Sequence, residues 1–204
     1  LDMSNCVKEK ESLVGQSNLN LSKKTKINEY MEASGWMVTQ SGKKIDIFYP
    51  NPESMDIQDI AHALSMICRF GGHVKEFYSV AQHSVLVSYI CNKKYSLQGL
   101  MHDAAEAFCG DIIRPIKRNI QFFNDMEDSL HDAISSKFNI KWNEVIYKSI
   151  KRADNIALLT EVKYLVNQEL HSKVKEKPLA QPIAGWTPIV AKNTFLKRFK
   201  ELWN

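Results

Sequence analysis

Residues 97–108 read LQGLMHDAAEAF, a stretch that combines a helical pattern with three ionisable side chains. Its apolar residues recur at three- and four-residue steps, which is typical of an amphipathic helix. Asp103 directly follows His102, and Glu106 lies four residues beyond His102, so a regular helix would project Glu106 from nearly the same face. Burying an unpaired charge is costly. These side chains therefore either form a surface stripe with one salt bridge or bind something.

The helical period continues through most of the chain. It predicts an all-α fold, a helical bundle of about six helices with one small N-terminal β-hairpin. The hairpin consists of Trp36–Gln40 and Lys43–Tyr49 around the turn residues Ser41 and Gly42. Caps and Gly or Pro breaks delimit the helices, approximately at residues 56–68, 79–91, 96–110, 115–134, 143–170 and 187–202. We predict one domain over residues 31–204, preceded by a polar extension over residues 1–30.

The composition excludes several classes of protein. A length of 204 residues suits one domain, and eight glycines and six prolines are too few for the turns of an all-β sandwich. The net charge of +4 is compatible with an anionic substrate but gives no strong nucleic-acid signal. Four cysteines without CxxC spacing favour a reducing, cytoplasmic location. No run of 18 apolar residues is present, so we expect no membrane span.

Two further positions could join His102 and Asp103 in a metal site. His83 lies among apolar residues in SVAQHSVL, and Asp154 precedes an apolar run in KRADNIALL. A lone histidine of this kind is more often a core residue, and Asp154 could simply pair with Arg152. Together, however, the four side chains offer two nitrogens and two carboxylates. That set suits Mn²⁺, Fe²⁺, Co²⁺, Ni²⁺ or Zn²⁺ and leaves positions for water and phosphate.

The order H…HD…D, formed here by His83, His102–Asp103 and Asp154, resembles the signature of the HD-domain metal-dependent phosphohydrolases. The resemblance covers residues 36–203, and the most similar branch contains small deoxynucleotidases, both 5′-deoxynucleotidases and phage-type dATP triphosphohydrolases. Its matching stretches are DIAHALS (59–65), RFGGH (69–73), YSVAQHS (78–84), HDAAE (102–106) and DIIRPIK (111–117).

The resemblance implies an all-α enzyme that attacks the α-phosphorus of a deoxynucleotide. The reaction would release triphosphate from a dNTP such as dATP, or phosphate from a dNMP, and the ligand motif does not separate the two. A divalent transition metal would be the cofactor, and a second, phosphate-bound position would suit Mg²⁺. Relatives of this kind commonly form homo-oligomers, so a homo-oligomer acting on a small-molecule nucleotide is expected. The alternatives are a noncatalytic HD-like nucleotide-sensing module and a hydrolase of a signalling nucleotide.

The resemblance also implies roles for residues around the metal. Glu106 is the first candidate for proton exchange with water or the leaving oxygen, and Asp111 is the second, with a loop or cap role as the rival for Asp111. Residues implied in substrate binding are Arg69, Lys117 and His73 at phosphate, His62 at the pocket wall and Phe70 against the sugar C2′. Solvated charges, a packing histidine and a core aromatic are the corresponding alternatives.

Three residues depart from this pattern or fall outside it. Gln82 precedes His83 where many relatives have Glu, which leaves open the group that orients His83. His131 and His171 match nothing in the family and are interpreted as surface residues.

Overall fold

A short hairpin precedes the helices in the computed structural model, which describes residues 35–166 and 175–203. Its strands are β1 (Trp36–Val38) and β2 (Lys44–Asp46). The turn between them is closed by the Thr39 N–H, which donates to the Lys43 carbonyl at 2.9 Å. Asp46 ends β2, because its carboxylate accepts from the backbone N–H groups of Phe48 and Tyr49. The predicted extension over residues 1–30 lies outside the described residues.

Helices make up most of the remaining described chain. They are α1 (Ile57–Met66), α2 (Val80–Ile90), α3 (Ser96–Met101), α4 (Glu106–Cys109), α5 (Arg114–Lys117), α6 (Gln121–Lys137), α7 (Glu144–Leu165) and α8 (Pro188–Leu202). Single 3₁₀ turns lie at Pro52–Ser54, Arg69–Gly72 and Lys93–Tyr95. The predicted fold class, all-α with one small N-terminal hairpin, is therefore confirmed. Within residues 35–166 and 175–203, every helix is too short or too polar to cross a membrane.

Side-chain caps begin three of the longer helices where the sequence offers a suitable residue. The carboxylate of Asp56 accepts from the Gln58 N–H at α1, and the hydroxyl of Ser79 accepts from the Gln82 N–H at α2. Asn143 accepts from the Ile146 N–H at α7. Each cap satisfies a backbone donor that the first turn of a helix leaves free. These local bonds determine where the helices begin.

Helix α2 is the central element of the bundle. It packs against α1, α3, α7 and α8, and the described residues from Met37 onward belong to one compact unit. The main core includes the fully buried side chains of Ile60, Leu64, Leu100 and Phe195. Because neighbours cover α2 on several sides, even its polar residues are buried. This placement takes His83 out of solvent completely.

The predicted helix over residues 96–110 is divided into α3 and α4. Between them, the backbone N–H groups of Ala104 and Glu106 donate to Met101 and Asp103, which are bonds of the tighter i→i+3 kind. The Nδ1 of His102 donates to the Gly99 carbonyl at 2.9 Å, the acceptor that Asp103 N–H takes in a regular α-helix. The side chain of His102 thus competes with the helical ladder at this point.

This break changes which side chains share a face. In a 3₁₀ turn, residues i and i+3 eclipse each other, so Glu106 aligns with Asp103 instead of with His102. The predicted helix from Pro115 is likewise divided, into α5 and α6.

Candidate metal centre

Three parts of the fold supply the predicted metal ligands. His83 comes from the buried first half of α2, His102 and Asp103 come from the turn after α3, and Asp154 comes from the middle of α7. One ligand atom from each of His83, His102 and Asp103 can be chosen so that all three lie within 4.8 Å of one another. This group could hold a metal ion.

The two histidines point the same nitrogen at each other. Their Nε2 atoms are 3.3 Å apart, while each Nδ1 is engaged elsewhere. His83 Nδ1 lies 2.6 Å from the Glu161 carboxylate, and His102 Nδ1 lies 2.9 Å from the Gly99 carbonyl. Both of these partners only accept, so each Nδ1 carries the proton and each neutral ring presents a lone pair at Nε2. Two facing lone pairs repel, so the pair requires a proton or a metal cation between them.

The carboxylates complete the donor set. Asp103 Oδ2 lies 3.2 Å from His102 Nε2 and 3.5 Å from His83 Nε2. Asp154 Oδ1 lies 3.5 Å from His83 Nε2, while its Oδ2 accepts from the Lys151 amine at 2.6 Å. Imidazole nitrogens with carboxylate oxygens form a donor set that suits a divalent transition metal. The residues present therefore fit the predicted divalent metal. Asp154 lies next to the group of His83, His102 and Asp103 because of its contact with His83.

Glu161 is the residue that sequence reasoning missed, and it resolves the question about Gln82. The Gln82 side chain bonds Ala184 O and Trp186 N, away from the histidines. Glu161 is fully buried and takes the orienting position at His83 instead. A signal for this was present in the sequence, because Glu161 follows Asp154 by seven residues and so lies two turns along the same face of α7.

Burial and charge shift the pKa values of these groups in opposite directions. Burial and the Arg69 charge lower the pKa of His83, but Glu161 and Asp154 outweigh them and raise it to about 9. Burial lowers the pKa of His102, in spite of Asp103. Burial raises the pKa of Glu161, yet Arg69 and His83 bring it down to about 2. Without a metal ion, His83 therefore holds the proton that separates the two Nε2 atoms.

A cavity of about 590 Å³ opens beside this group, a size typical of sites for small molecules. It brings together seven of the predicted site residues, and its other walls are largely apolar. The predicted residues among its lining are Arg69, Phe70, Asp103, Glu106, Asp111, Lys117 and Asp154. The apolar lining includes Ile112, Ile113, Leu158, Val162 and Val166.

Glu106 faces this cavity with an unsatisfied group. The side chain is buried, and its Oε2 has no hydrogen-bond partner among the described residues. Burial raises the pKa of Glu106 well above its ordinary value, and the charges of Asp103 and Asp111 raise it further. Burial also raises the pKa of Asp111. Glu106 is therefore available in its protonated form closer to neutral pH than an exposed glutamate.

The two predicted phosphate-binding cations are both paired in the structure. Arg69 is buried, with Nε and Nη2 each 3.1 Å from Glu161 Oε2 and Nη1 3.8 Å from Asp103 Oδ2. The Lys117 amine pairs with Glu127. Both residues nevertheless line the cavity, so neither is the solvated surface charge that the sequence left open.

A second cavity, of about 250 Å³, shares Asp103 and Asp154 with the first. Lys117 and Lys151 line both cavities, whereas His102 lines only the smaller one. His131 also lines the smaller cavity, with its ring 4.8 Å from that of Trp142. The interpretation of His131 as a surface residue is therefore wrong, because α6 turns it toward the site.

Three predicted histidines lie elsewhere. His62 is half-buried on α1, and His73 is exposed at the end of the 3₁₀ turn that begins at Arg69. Neither lines the two cavities described above. His171 lies outside the described residues.

Comparisons with known proteins find two uncharacterized proteins and one probable kinase that are similar to this chain. No protein-family model matches this chain. The uncharacterized protein YfdR of Escherichia coli is 42% identical over 123 residues, which cover 60% of this chain and 68% of YfdR. An uncharacterized protein of Rhodobacter capsulatus is 31% identical over 142 residues, which cover 64% of this chain and 72% of that protein. A probable serine/threonine-protein kinase of Dictyostelium discoideum is 31% identical over 136 residues, which cover 61% of this chain and 16% of the kinase.

Proposed function

This chain belongs to the same family as YfdR of Escherichia coli and its Rhodobacter capsulatus relative, and from the chemistry of the site we propose that it is a metal-dependent phosphohydrolase of the HD-domain type. Its substrate is a deoxynucleotide, attacked at the α-phosphorus. One observation carries the proposal: the Nε2 atoms of His83 and His102 face each other at 3.3 Å, with Asp103 Oδ2 beside both, at the wall of a ligand-sized cavity.

His83, His102 and Asp103 would hold the metal, with Asp154 as the fourth ligand. A divalent Mn, Fe, Co, Ni or Zn ion there would lower the pKa of a water molecule and neutralise phosphate charge. The Nδ1 bonds to Glu161 and Gly99 keep both ring orientations fixed, so the donor set is arranged before an ion arrives.

Glu106 is the proposed acid–base residue. It shares the cavity with Asp103, and its unpartnered Oε2 can exchange a proton with water or with the leaving oxygen. Its raised pKa supports the general-acid half of this role, since the protonated carboxyl donates. Asp111, on the same cavity wall, is the second candidate.

The cavities support a nucleotide with more than one phosphate. The larger, mostly apolar cavity suits a deoxynucleoside and its α-phosphate, with Arg69 at the phosphate and Phe70 at the sugar. The smaller cavity shares Asp103 and Asp154 with the larger one, and Lys117 and Lys151 line both. We therefore favour a dNTP, dATP among the candidates, with a dNMP as the alternative. The proposal also includes a homo-oligomeric, cytoplasmic enzyme.

A metal-supplemented screen of dNTPs, dNMPs and ribonucleotides tests the reaction. Release of triphosphate from a dNTP is expected, and release of phosphate from a dNMP alone would overturn the polyphosphate assignment. The change Asp103→Ala should abolish both metal binding and turnover. By contrast, Glu106→Gln should keep the metal and lose about 10²- to 10⁴-fold in rate. Nucleotide binding without turnover at any metal would favour a sensing module instead.

A further inference from the structure

Glu161 is a fully buried carboxylate that the proposed reaction does not use directly. It lies near the end of α7, and its two oxygens have separate partners. Oε1 lies 2.6 Å from His83 Nδ1 on α2. Oε2 lies 3.1 Å from both Nε and Nη2 of Arg69, in the 3₁₀ turn after α1. One side chain thus joins a proposed metal ligand to a proposed phosphate-binding residue.

The bond to His83 decides which nitrogen faces the site. An ionised carboxylate only accepts, so it keeps the imidazole proton on Nδ1 and directs the Nε2 lone pair toward Asp103 and Asp154. Without that acceptor, the ring could flip or exchange tautomers, and a donor nitrogen would then face the metal.

The bond to Arg69 fixes the guanidinium by one edge. Its Nε and Nη2 are directed at Glu161, and its Nη1 is 3.8 Å from Asp103 Oδ2. The side chain is buried but still lines the larger cavity. The edge that Glu161 does not occupy is therefore the edge that a phosphate can meet.

From this geometry we propose that Glu161 is a positioning residue that orients the metal ligand His83 and the phosphate-binding Arg69 together. The assignment rests on the proposed metal centre. Because one carboxylate serves both partners, its loss affects two measurable properties, the affinity for metal and the affinity for substrate. A glutamate that contributed only to stability would leave both unchanged in the folded protein.

The test compares Glu161→Gln with wild type by calorimetric titration of the metal-free full chain with Co²⁺. An amide can accept from one partner only and turns an NH₂ toward the other donor. We expect Co²⁺ affinity to fall by about 10- to 100-fold, the usual effect of losing the carboxylate behind a ligating histidine. The matched control is Asp59→Asn, the same chemical change at a buried carboxylate that bonds Thr39 and Ser41 outside both cavities. That control should bind Co²⁺ as wild type does.

The substrate arm uses steady-state kinetics at Co²⁺ concentrations that saturate each variant. With the metal restored, kcat should largely recover in Glu161→Gln, while KM stays raised by about tenfold, in line with the loss of one charged hydrogen bond. Unchanged Co²⁺ affinity in a folded Glu161→Gln variant would overturn the proposal, and so would an unchanged KM.

Two further variants keep the outcome decisive. If Glu161→Gln does not fold, Glu161→Asp retains the charge but withdraws it by one methylene, and wild-type Co²⁺ affinity in that variant contradicts the proposal.

His83→Ala should lose Co²⁺ binding altogether. If wild type itself binds no Co²⁺, the proposed metal centre fails first. If wild type binds Co²⁺, His83→Ala does not, and Glu161→Gln binds as wild type does, then the positioning role alone fails.

Discussion

Phe70 holds a backbone conformation that a bulky residue rarely adopts. Its φ of 58° and ψ of 24° lie in the left-handed region, which costs a residue with a side chain about 1–2 kcal/mol. The ring lines the larger cavity and lies 5.5 Å from the guanidinium carbon of Arg69. Strain retained at a cavity wall is more readily explained by a role toward the ligand than by packing in the core.

The change Phe70→Ala should admit ribonucleotides, since it removes the ring that we propose to face the sugar C2′. The matched variant Phe70→Gly also removes the ring but releases the strain, so its free energy of unfolding should exceed that of Phe70→Ala by about 1 kcal/mol. Activity assays with paired deoxy- and ribonucleotides and urea denaturation measure the two effects. Unchanged selectivity in both variants would make Phe70 a packing residue.

Among the helices, α1 offers a local test of stability. Asp56 caps its N-terminus and pairs with Lys43 of the hairpin at 2.8 Å. The Lys43 bond and the Gln58 N–H lower the pKa of Asp56. A carboxyl whose pKa is lower in the folded than in the unfolded state stabilises the fold at pH values above its unfolded pKa. That contribution is lost as the pH falls through the folded pKa.

The change Asp56→Ala should cost about 1 kcal/mol in the free energy of unfolding at pH 7, typical of a lost cap. Asp56→Asn keeps the cap and loses only the partly exposed ion pair, so it should remain close to wild type. Urea denaturation across a pH series should show the Asp56→Ala deficit shrinking below about pH 4, where Asp56 begins to protonate in the unfolded chain. A deficit that grows on acidification would contradict this account.

At the scale of the whole molecule, the proposed ligands come from α2, the turn after α3 and α7, so a metal ion would cross-link three separate elements. An ion at 100 times its Kd stabilises the folded state by about 2.7 kcal/mol, or roughly 5–10 °C in Tm for this size. We expect Co²⁺ to raise Tm by that amount and a chelator to reverse the shift. His102→Ala should lose the shift, whereas His131→Ala, at a histidine of the smaller cavity, should retain it. Equal shifts in wild type and His102→Ala would place the ion elsewhere.

The helices, the hairpin and most of their caps were predictable because they depend on neighbours within a few residues. Apolar spacing predicts the buried faces, and Asp56, Ser79 and Asn143 bond the first turn of their own helices. The break after α3 was not predictable from apolar spacing, since that pattern is the same whether His102 bonds the Gly99 carbonyl or faces solvent.

The sequence by itself determined the fold class and the donor types of the proposed site. The donors are the imidazole nitrogens and carboxylate oxygens of His83, His102, Asp103 and Asp154, which the residue types fix whatever the fold. Only the tertiary structure decided which groups meet. It set Glu161 behind His83, paired Lys117 with Glu127, and left His62 and His73 away from the cavities. The physical reason is that such contacts depend on how helices cross and how deeply each side chain is buried. Those properties arise from the packing of the whole bundle and have no local signature in the chain.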